Sequence, residues 1–166
     1  MEADRLIAWD AELRAVHARL RQSLAIARAA VLEGDGDAAP GAGALRDAAA
    51  AASADLLLYC TGFCVALDGH HRSEDAGLFP ALVADHPELR PVVGKLVQDH
   101  SMLSHLLLQF RGAMESGADR GALERHLEGI AAIMESHFRY EERELLGPLS
   151  TLRSAATASE LLGPLA

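Results

Sequence analysis

Four of the eight histidines interrupt apolar stripes that recur at helical spacing. These histidines, one in each predicted helix, are His17, His70, His100 and His137. A buried imidazole without a partner is unfavourable and a buried carboxylate more so, yet Glu74 and Glu141 follow two of them, one helical turn later on the same faces. The pattern therefore predicts a compensating group in the interior.

A metal ion is a natural compensating group, because imidazole nitrogens and carboxylate oxygens are common metal ligands. Two helices that each offer a His-x-x-x-Glu pair can straddle two cations, with Glu74 and Glu141 as bridges. Nitrogen and oxygen ligands without thiolate favour iron or manganese over a structural zinc site, although zinc or copper would compete by affinity. We expect iron, on functional grounds, held by His17, His70, Glu74, His100, His137 and Glu141.

A structural explanation competes for each residue, since a single inward histidine is more commonly a hydrogen-bonded core residue. Four inward histidines on four helices, two of them followed by inward glutamates, are hard to produce by chance. A buried ion-pair network would require several inward Arg or Lys residues, which the stripes almost entirely lack. The joint arrangement therefore favours a metal site.

Two neighbours of the predicted ligands are ambiguous. His71 is rotated by about 100° from His70, so it either reaches the edge of the site, as an additional ligand, or faces a neighbouring helix. Glu142 is adjacent to Glu141 but turned away from His137, which makes Glu141 the better ligand.

The remaining histidines are not predicted to be ligands. His105 is about 140° away from the inward face of its helix, where Ser104 is the partner one turn after His100. His86 lies in a loop, and His126 lies beside the inward stripe of the fourth helix.

The apolar periodicity predicts four helices, over about residues 4–33, 45–75, 91–117 and 120–148. Gly77 and Pro80 mark the end of the second helix, and Asp119 caps the fourth. The intervening stretch 34–44, GDGDAAPGAGA, is a flexible connection. Short connections predict an up-down-up-down antiparallel four-helix bundle.

The composition supports an all-α single domain over residues 1–166, with the bundle core at about 4–148. Half of the residues are hydrophobic, and Ala and Leu, which favour helices, dominate them. The extension 149–166 can form a short fifth helix. Cys60 and Cys64 have neither the spacing of a redox motif nor that of a zinc half-site, so we expect reduced, buried thiols.

The net charge of −9 disfavours binding to nucleic acid or to an anionic membrane surface. No stretch reaches the roughly 18 apolar residues of a membrane span, and the first residues do not resemble a secretion signal. We therefore expect a cytoplasmic protein whose partner is a small molecule.

The motifs HHRSEDAGLFP, QDHSMLSHLLLQF and SHFRYEERELLGPL resemble the hemerythrin-like (HHE cation-binding) domain family, over roughly residues 17–148. The order His, His-x-x-x-Glu, His, His-x-x-x-Glu is closest to a branch that includes the hemerythrin domain of an iron-sensing F-box protein. The resemblance implies a four-helix bundle with two irons, bridged by two carboxylates and an oxo or hydroxo group. The four histidines would then be terminal ligands.

The chain departs from the oxygen-carrying hemerythrins at two places. Those proteins have His-x-x-x-His on the third helix and His-x-x-x-x-Asp on the fourth, whereas here Ser104 follows His100 and Glu141 stands four residues after His137. Ser104 cannot replace an imidazole, so one iron lacks a histidine unless His71 or water supplies the bond. This departure disfavours reversible oxygen carriage.

The resemblance implies a non-heme di-iron protein that binds or reacts with O2, peroxide or nitric oxide, or that senses iron or oxidants. One alternative is a di-iron oxidoreductase, either an oxygenase or oxidase of a small organic substrate or a catalase-like enzyme. The other is a redox-silent bundle in which metal binding only stabilises the fold. The sequence leaves these three functions open.

Overall fold

The computed structural model describes residues 7–33 and 42–166, and the regular elements in that part of the chain are helical. The helices are α1 (Trp9–Glu33), α2 (Ala42–Ser73), α3 (Phe79–Asp85), α4 (Arg90–Glu115), α5 (Arg120–Leu149) and α6 (Ala158–Leu162). The four long helices α1, α2, α4 and α5 form the predicted up-down-up-down bundle. The predicted start of the first helix at Asp4 and most of the predicted connection 34–44 lie outside the described residues.

Apolar side chains at helical spacing explain why these segments form a bundle. The stripe of α5 is buried throughout, and its apolar members are Leu123, Leu127, Ile130, Met134 and Leu145. The stripe of α1 is buried from Trp9 to Val31. Together with residues of α2, α4 and the C-terminal segment, these side chains make up one apolar core, as the periodicity predicts.

The predicted end of the second helix at Gly77 and Pro80 is wrong. A π-helical turn, Glu74–Leu78, follows α2 directly, and the chain continues as α3 to Asp85. The wider turn shifts the backbone pairing, with the N–H of Phe79 bonded to the carbonyl of Glu74. Pro80 then lies in the first turn of α3, where a missing N–H is tolerated.

The other helix ends agree with the prediction to within a few residues. Asp119 caps α5, and its carboxylate accepts a hydrogen bond from the backbone N–H of Ala122 at 2.8 Å. The predicted short fifth helix is present as α6. Its N-terminus carries a capping box between Thr157 and Glu160.

Cys60 and Cys64 are buried free thiols, as predicted. No helix in the described ranges is long and apolar enough to cross a membrane.

Candidate metal centre

Seven polar side chains are buried in the described part of the chain, and all of them are histidines or glutamates. They are His17, His70, His71, Glu74, His100, His137 and Glu141, each at most 4% exposed. Neither Lys nor Arg is among the buried residues, so the cations that an ion-pair network needs are missing from the described interior.

The seven side chains form two clusters, in each of which one potential ligand atom per residue lies within 4.8 Å of the others. The first cluster contains His17, His70, Glu74 and Glu141. The second contains His71, His100 and His137. All six sequence-predicted ligands therefore come together in the interior, and His71 joins them.

Glu74 lies between the two clusters and presents one carboxylate oxygen to each. Its Oε1 is 3.2 Å from Nε2 of His70, and its Oε2 is 3.4 Å from Nε2 of His100. Glu141 also faces both clusters, but through a single atom. Its Oε2 is 3.2 Å from Nε2 of His17 and 3.7 Å from Nε2 of His137.

The inner polar atoms of the site lack hydrogen-bond partners in the described structure. These atoms are both carboxylate oxygens of Glu74 and Glu141 and the Nε2 atoms of His17, His70 and His71. The 3.2 Å approaches to the glutamates do not have hydrogen-bond geometry. Since unpaired buried polar groups cost free energy, the pocket fits metal cations that these atoms could ligate.

The second cluster fits a cation by its unpartnered Nε2 atom of His71 and by the spacing of its other two inner nitrogens. Nε2 of His100 lies 3.1 Å from Nε2 of His137. Two imidazole nitrogens that bind one metal ion at about 2.1 Å each, at a right angle, lie about 3 Å apart.

The outer ring nitrogens of four histidines face acceptors. Nδ1 of His17 donates to Glu142 at 2.7 Å, that of His70 to the carbonyl of Leu162 at 2.7 Å, and that of His100 to Asp75 at 2.8 Å. Nδ1 of His137 lies 3.5 Å from Asp99, which is too long for a normal hydrogen bond. Because a carboxylate or carbonyl only accepts, Nδ1 of the first three rings carries a proton. In the neutral form of each ring Nε2 is then an acceptor that points inward, as in metal-binding histidines.

Two aromatic rings fix histidines of the site by stacking. Phe138 stacks on His17, with ring centroids 3.8 Å apart and planes 8° apart. His71 stacks on His100 at 4.0 Å and 14°. These contacts hold the imidazole planes of His17 and His100 in place.

Burial and neighbouring charges move the pKa values of the histidines in opposite directions. Burial lowers the pKa of His70 to about 3, and the positive charge of His17 adds to this shift. Burial also lowers the pKa of His71 well below its usual value. For His17 and His100 burial acts downward too, but hydrogen bonds to carboxylates outweigh it and raise each pKa to about 9.

The pKa values of the two central carboxyl groups, those of Glu74 and Glu141, also shift in opposite directions. Burial and the charge of Glu141 raise the pKa of Glu74, whereas contact with His17 lowers the pKa of Glu141 against the effect of its burial. Two carboxylates in one dry pocket repel each other, so nearby positive charge must compensate them if both are ionised.

The histidines that were not predicted as ligands lie outside both clusters. His105 is exposed beside Gln109, and the partly exposed His86 pairs with Glu88. His126 is partly exposed next to Phe110. Ser104 is in neither cluster, and it lines a cavity of about 310 Å³ together with Gly69 and Leu107.

Sequence reasoning missed the acceptors behind the histidines. The sequence pattern ranks Glu142 below Glu141 as a ligand and gives it no other role, whereas in the structure it accepts a hydrogen bond from His17. Asp75 and Asp99 are adjacent in sequence to Glu74 and His100, and this proximity was the available clue. The carbonyl of Leu162 gives no sign in the sequence, because every residue has one.

A model of the hemerythrin HHE cation-binding domain matches residues 10–149. The chain belongs to this family. Comparison with the curated proteins and with the solved structures gave no significant match. The family match confirms the resemblance and includes all seven buried polar residues, so the two clusters lie in a hemerythrin-like cation-binding domain. The C-terminal segment after residue 149 lies outside the match.

Proposed function

We propose that this hemerythrin-like domain binds two iron ions and binds, reacts with or senses O2, peroxide or nitric oxide. The observation that carries the proposal is the position of Glu74, whose two oxygens lie 3.2 Å and 3.4 Å from histidines of different clusters. A carboxylate in that position can bridge two cations, and Glu141 offers a second bridge.

In this proposal the two cations have different numbers of imidazole donors. His17 and His70 serve the first cation, whereas His71, His100 and His137 serve the second. His71 is then the additional ligand that the sequence left open, in place of a histidine at Ser104. With both glutamates as bridges, the first cation has four protein donors and the second has five, so we expect the small molecule to bind on the side of the first.

The residues around the site orient the histidine ligands. Glu142 and Asp75 accept the Nδ1 protons of His17 and His100, which fixes the tautomers and directs Nε2 inward. Phe138 excludes water from the face of His17. Iron bound in this pocket would supply redox chemistry toward small oxidants.

A cytoplasmic location is part of the same proposal. The free thiols of Cys60 and Cys64 are consistent with a reducing compartment.

The test is metal analysis and absorption spectroscopy of the protein purified from iron-supplemented cells. We expect two irons per chain and the charge-transfer absorption of an iron pair. A colourless protein with one zinc ion per chain would overturn the proposal and favour a redox-silent bundle. Gas release from added peroxide would identify catalase-like reactivity.

Single substitutions test the assignment of ligands. His17→Ala and His71→Ala should each reduce the iron content, the first by removing a donor of the first cluster and the second by removing one of the second cluster. His105→Ala is the matched control, because His105 is an exposed histidine outside both clusters. Unchanged iron content in both site variants would contradict the assignment.

The cavity of about 310 Å³ beside Ser104 favours a second candidate, oxidation of a small organic substrate. None of the seven buried polar residues lines this cavity, so a substrate there would approach the site past Gly69 and Ser104. Oxygen consumption that depends on one added compound, and that Ser104→Phe abolishes without loss of iron, would identify this activity. Consumption unaffected by Ser104→Phe would exclude the route.

A further inference from the structure

The C-terminal segment Thr157–Ala166 packs against the part of α2 that carries His70. Leu161, Leu162 and Gly163 are buried there. The capping box between Thr157 and Glu160 fixes the start of α6, with the N–H of Thr157 bonded to the Glu160 carboxylate at 2.7 Å. Arg19 of α1 holds the far end through a hydrogen bond to the carbonyl of Leu165. The segment is therefore held against the bundle by its buried leucines and, after Leu162, by the bond from Arg19.

The carbonyl of Leu162 accepts the Nδ1 proton of His70 at 2.7 Å, and both groups are buried. The outer nitrogens of His17, His100 and His137 face carboxylates instead. Leu162 thus differs from the other acceptors because it is neutral, is part of the backbone and lies outside the family match.

The close approach of the segment to α2 requires glycine. Gly163 has a φ of 89°, and a Cβ at this position would lie 2.7 Å from Cα of His70 and 2.9 Å from its backbone nitrogen. No other residue type fits there without moving the segment away from the helix. A Cβ on Gly77, in the π-helical turn, would also lie 2.8 Å from a methyl group of Leu161.

We propose that the C-terminal segment is part of the metal centre and that Leu162 is a positioning residue for His70. Its carbonyl keeps the proton of His70 on Nδ1, so Nε2 faces Glu74 and the first cluster as an acceptor. The effect on metal affinity rests on the proposed function, whereas the effect on the tautomer of His70 does not.

The variant Gly163→Ala tests the proposal, because its Cβ must displace the segment from His70. Gly117→Ala is the matched control. Gly117 also has a positive φ, of 72°, but an added Cβ there meets nothing within 4 Å. Both variants therefore place a side chain at a positive φ, and only Gly163→Ala disturbs the contact with His70.

The first measurement is the nitrogen-15 NMR spectrum of the imidazole rings in the metal-free chain, since bound iron would broaden these resonances. We expect the Nδ1 proton of His70 to be observed in the parent protein and in Gly117→Ala, and to be lost or exchange-broadened in Gly163→Ala. An unchanged His70 resonance in Gly163→Ala would overturn the proposal. The readout does not depend on bound iron.

The second measurement is titration of the metal-free protein with cobalt(II). We expect Gly163→Ala to weaken one of two binding steps by roughly 10- to 100-fold and to leave the other unchanged. Equal weakening of both steps would indicate a general loss of stability and would contradict the specific role of Leu162. A parent protein that binds no metal would overturn the proposed function, and the NMR comparison would still decide the role of Leu162.

A chain that ends at Ala156 provides a second variant if Gly163→Ala does not fold. It lacks α6 and the Leu162 carbonyl but keeps all seven buried polar residues. Its His70 resonance should change as in Gly163→Ala, with the far-ultraviolet circular dichroism of the bundle retained. A His70 resonance like that of the parent would contradict the proposal.

Discussion

Glu142 accepts a hydrogen bond from Nδ1 of His17 at 2.7 Å, while Nε2 of the same ring lies 3.2 Å from Glu141. Adjacent glutamates of α5 thus contact opposite edges of one imidazole. Glu142 is further held by Arg21, whose Nη1 lies 3.4 Å from the same oxygen. The pairing explains how a residue turned away from His137 still belongs to the site.

We predict that Glu142→Gln weakens metal binding by roughly 10- to 100-fold, because an amide holds the His17 ring and its tautomer less firmly than a carboxylate. Cobalt(II) titration of the metal-free protein measures the effect. Glu144→Gln is the control, since Glu144 lies on the same helix and pairs only with Arg143 in the described structure. Equal affinities in the two variants would mean that Glu142 has no role at the site.

The helical bundle could be predicted from the sequence because the spacing of apolar residues determines which face of each helix packs against the others. The same spacing placed six of the seven buried polar residues correctly on inward faces. His71 was ambiguous because a rotation of about 100° can lead into a cluster or away from it, and the answer depends on how α4 packs against α2.

The features that were missed depend on the backbone and on contacts between distant segments. The π-helical turn Glu74–Leu78 was hidden because Gly77 and Pro80 usually end a helix. The acceptors behind the histidines are 25 to 125 residues away from them in sequence for His17, His70 and His100. Local patterns do not show which of these distant residues pair with each other.

The N-terminal cap of α5 gives a prediction about stability alone. Asp119→Ala should destabilise the protein by about 1 kcal/mol, because the N–H of Ala122 loses its acceptor. Asp119→Asn retains a capping side chain and should reduce the stability of the protein less than Asp119→Ala does. Chemical denaturation measures both, and iron content should stay at the parent level. A loss of iron in Asp119→Ala would show that the cap and the metal centre are coupled.

The buried thiols of Cys60 and Cys64 give a prediction about the stability of the protein at alkaline pH. Burial raises the pKa of Cys60 to about 11 and that of Cys64 to about 12, so the folded state keeps protons that the unfolded chain loses above about pH 8.5. Stability should therefore fall as the pH rises from about 8.5 toward 11, by about 1 kcal/mol per thiol between pH 8 and 9.5.

The double variant Cys60→Ala and Cys64→Ala isolates this effect. Its unfolding free energy should decline less steeply than that of the parent above pH 8.5, while the two profiles should run parallel below pH 7. Urea denaturation at a series of pH values makes the comparison. Parallel profiles over the whole range would show that the thiols ionise as easily in the folded protein as in the unfolded chain.

Removal of metal should reverse the effect of the substitution Glu74→Gln on the stability of the protein. In the metal-free protein, burial and the charge of Glu141 raise the pKa of Glu74, so replacement by the uncharged Gln should leave stability unchanged or raise it by about 1 kcal/mol or more. In the iron-loaded protein the same substitution removes a proposed bridging ligand and should lower the melting temperature, because metal binding contributes to folding stability. Thermal denaturation with and without a chelator measures both effects. Glu128→Gln, an exposed position on α5, should change neither, and a loss of stability in Glu74→Gln that is equal in both states would contradict a bridging role.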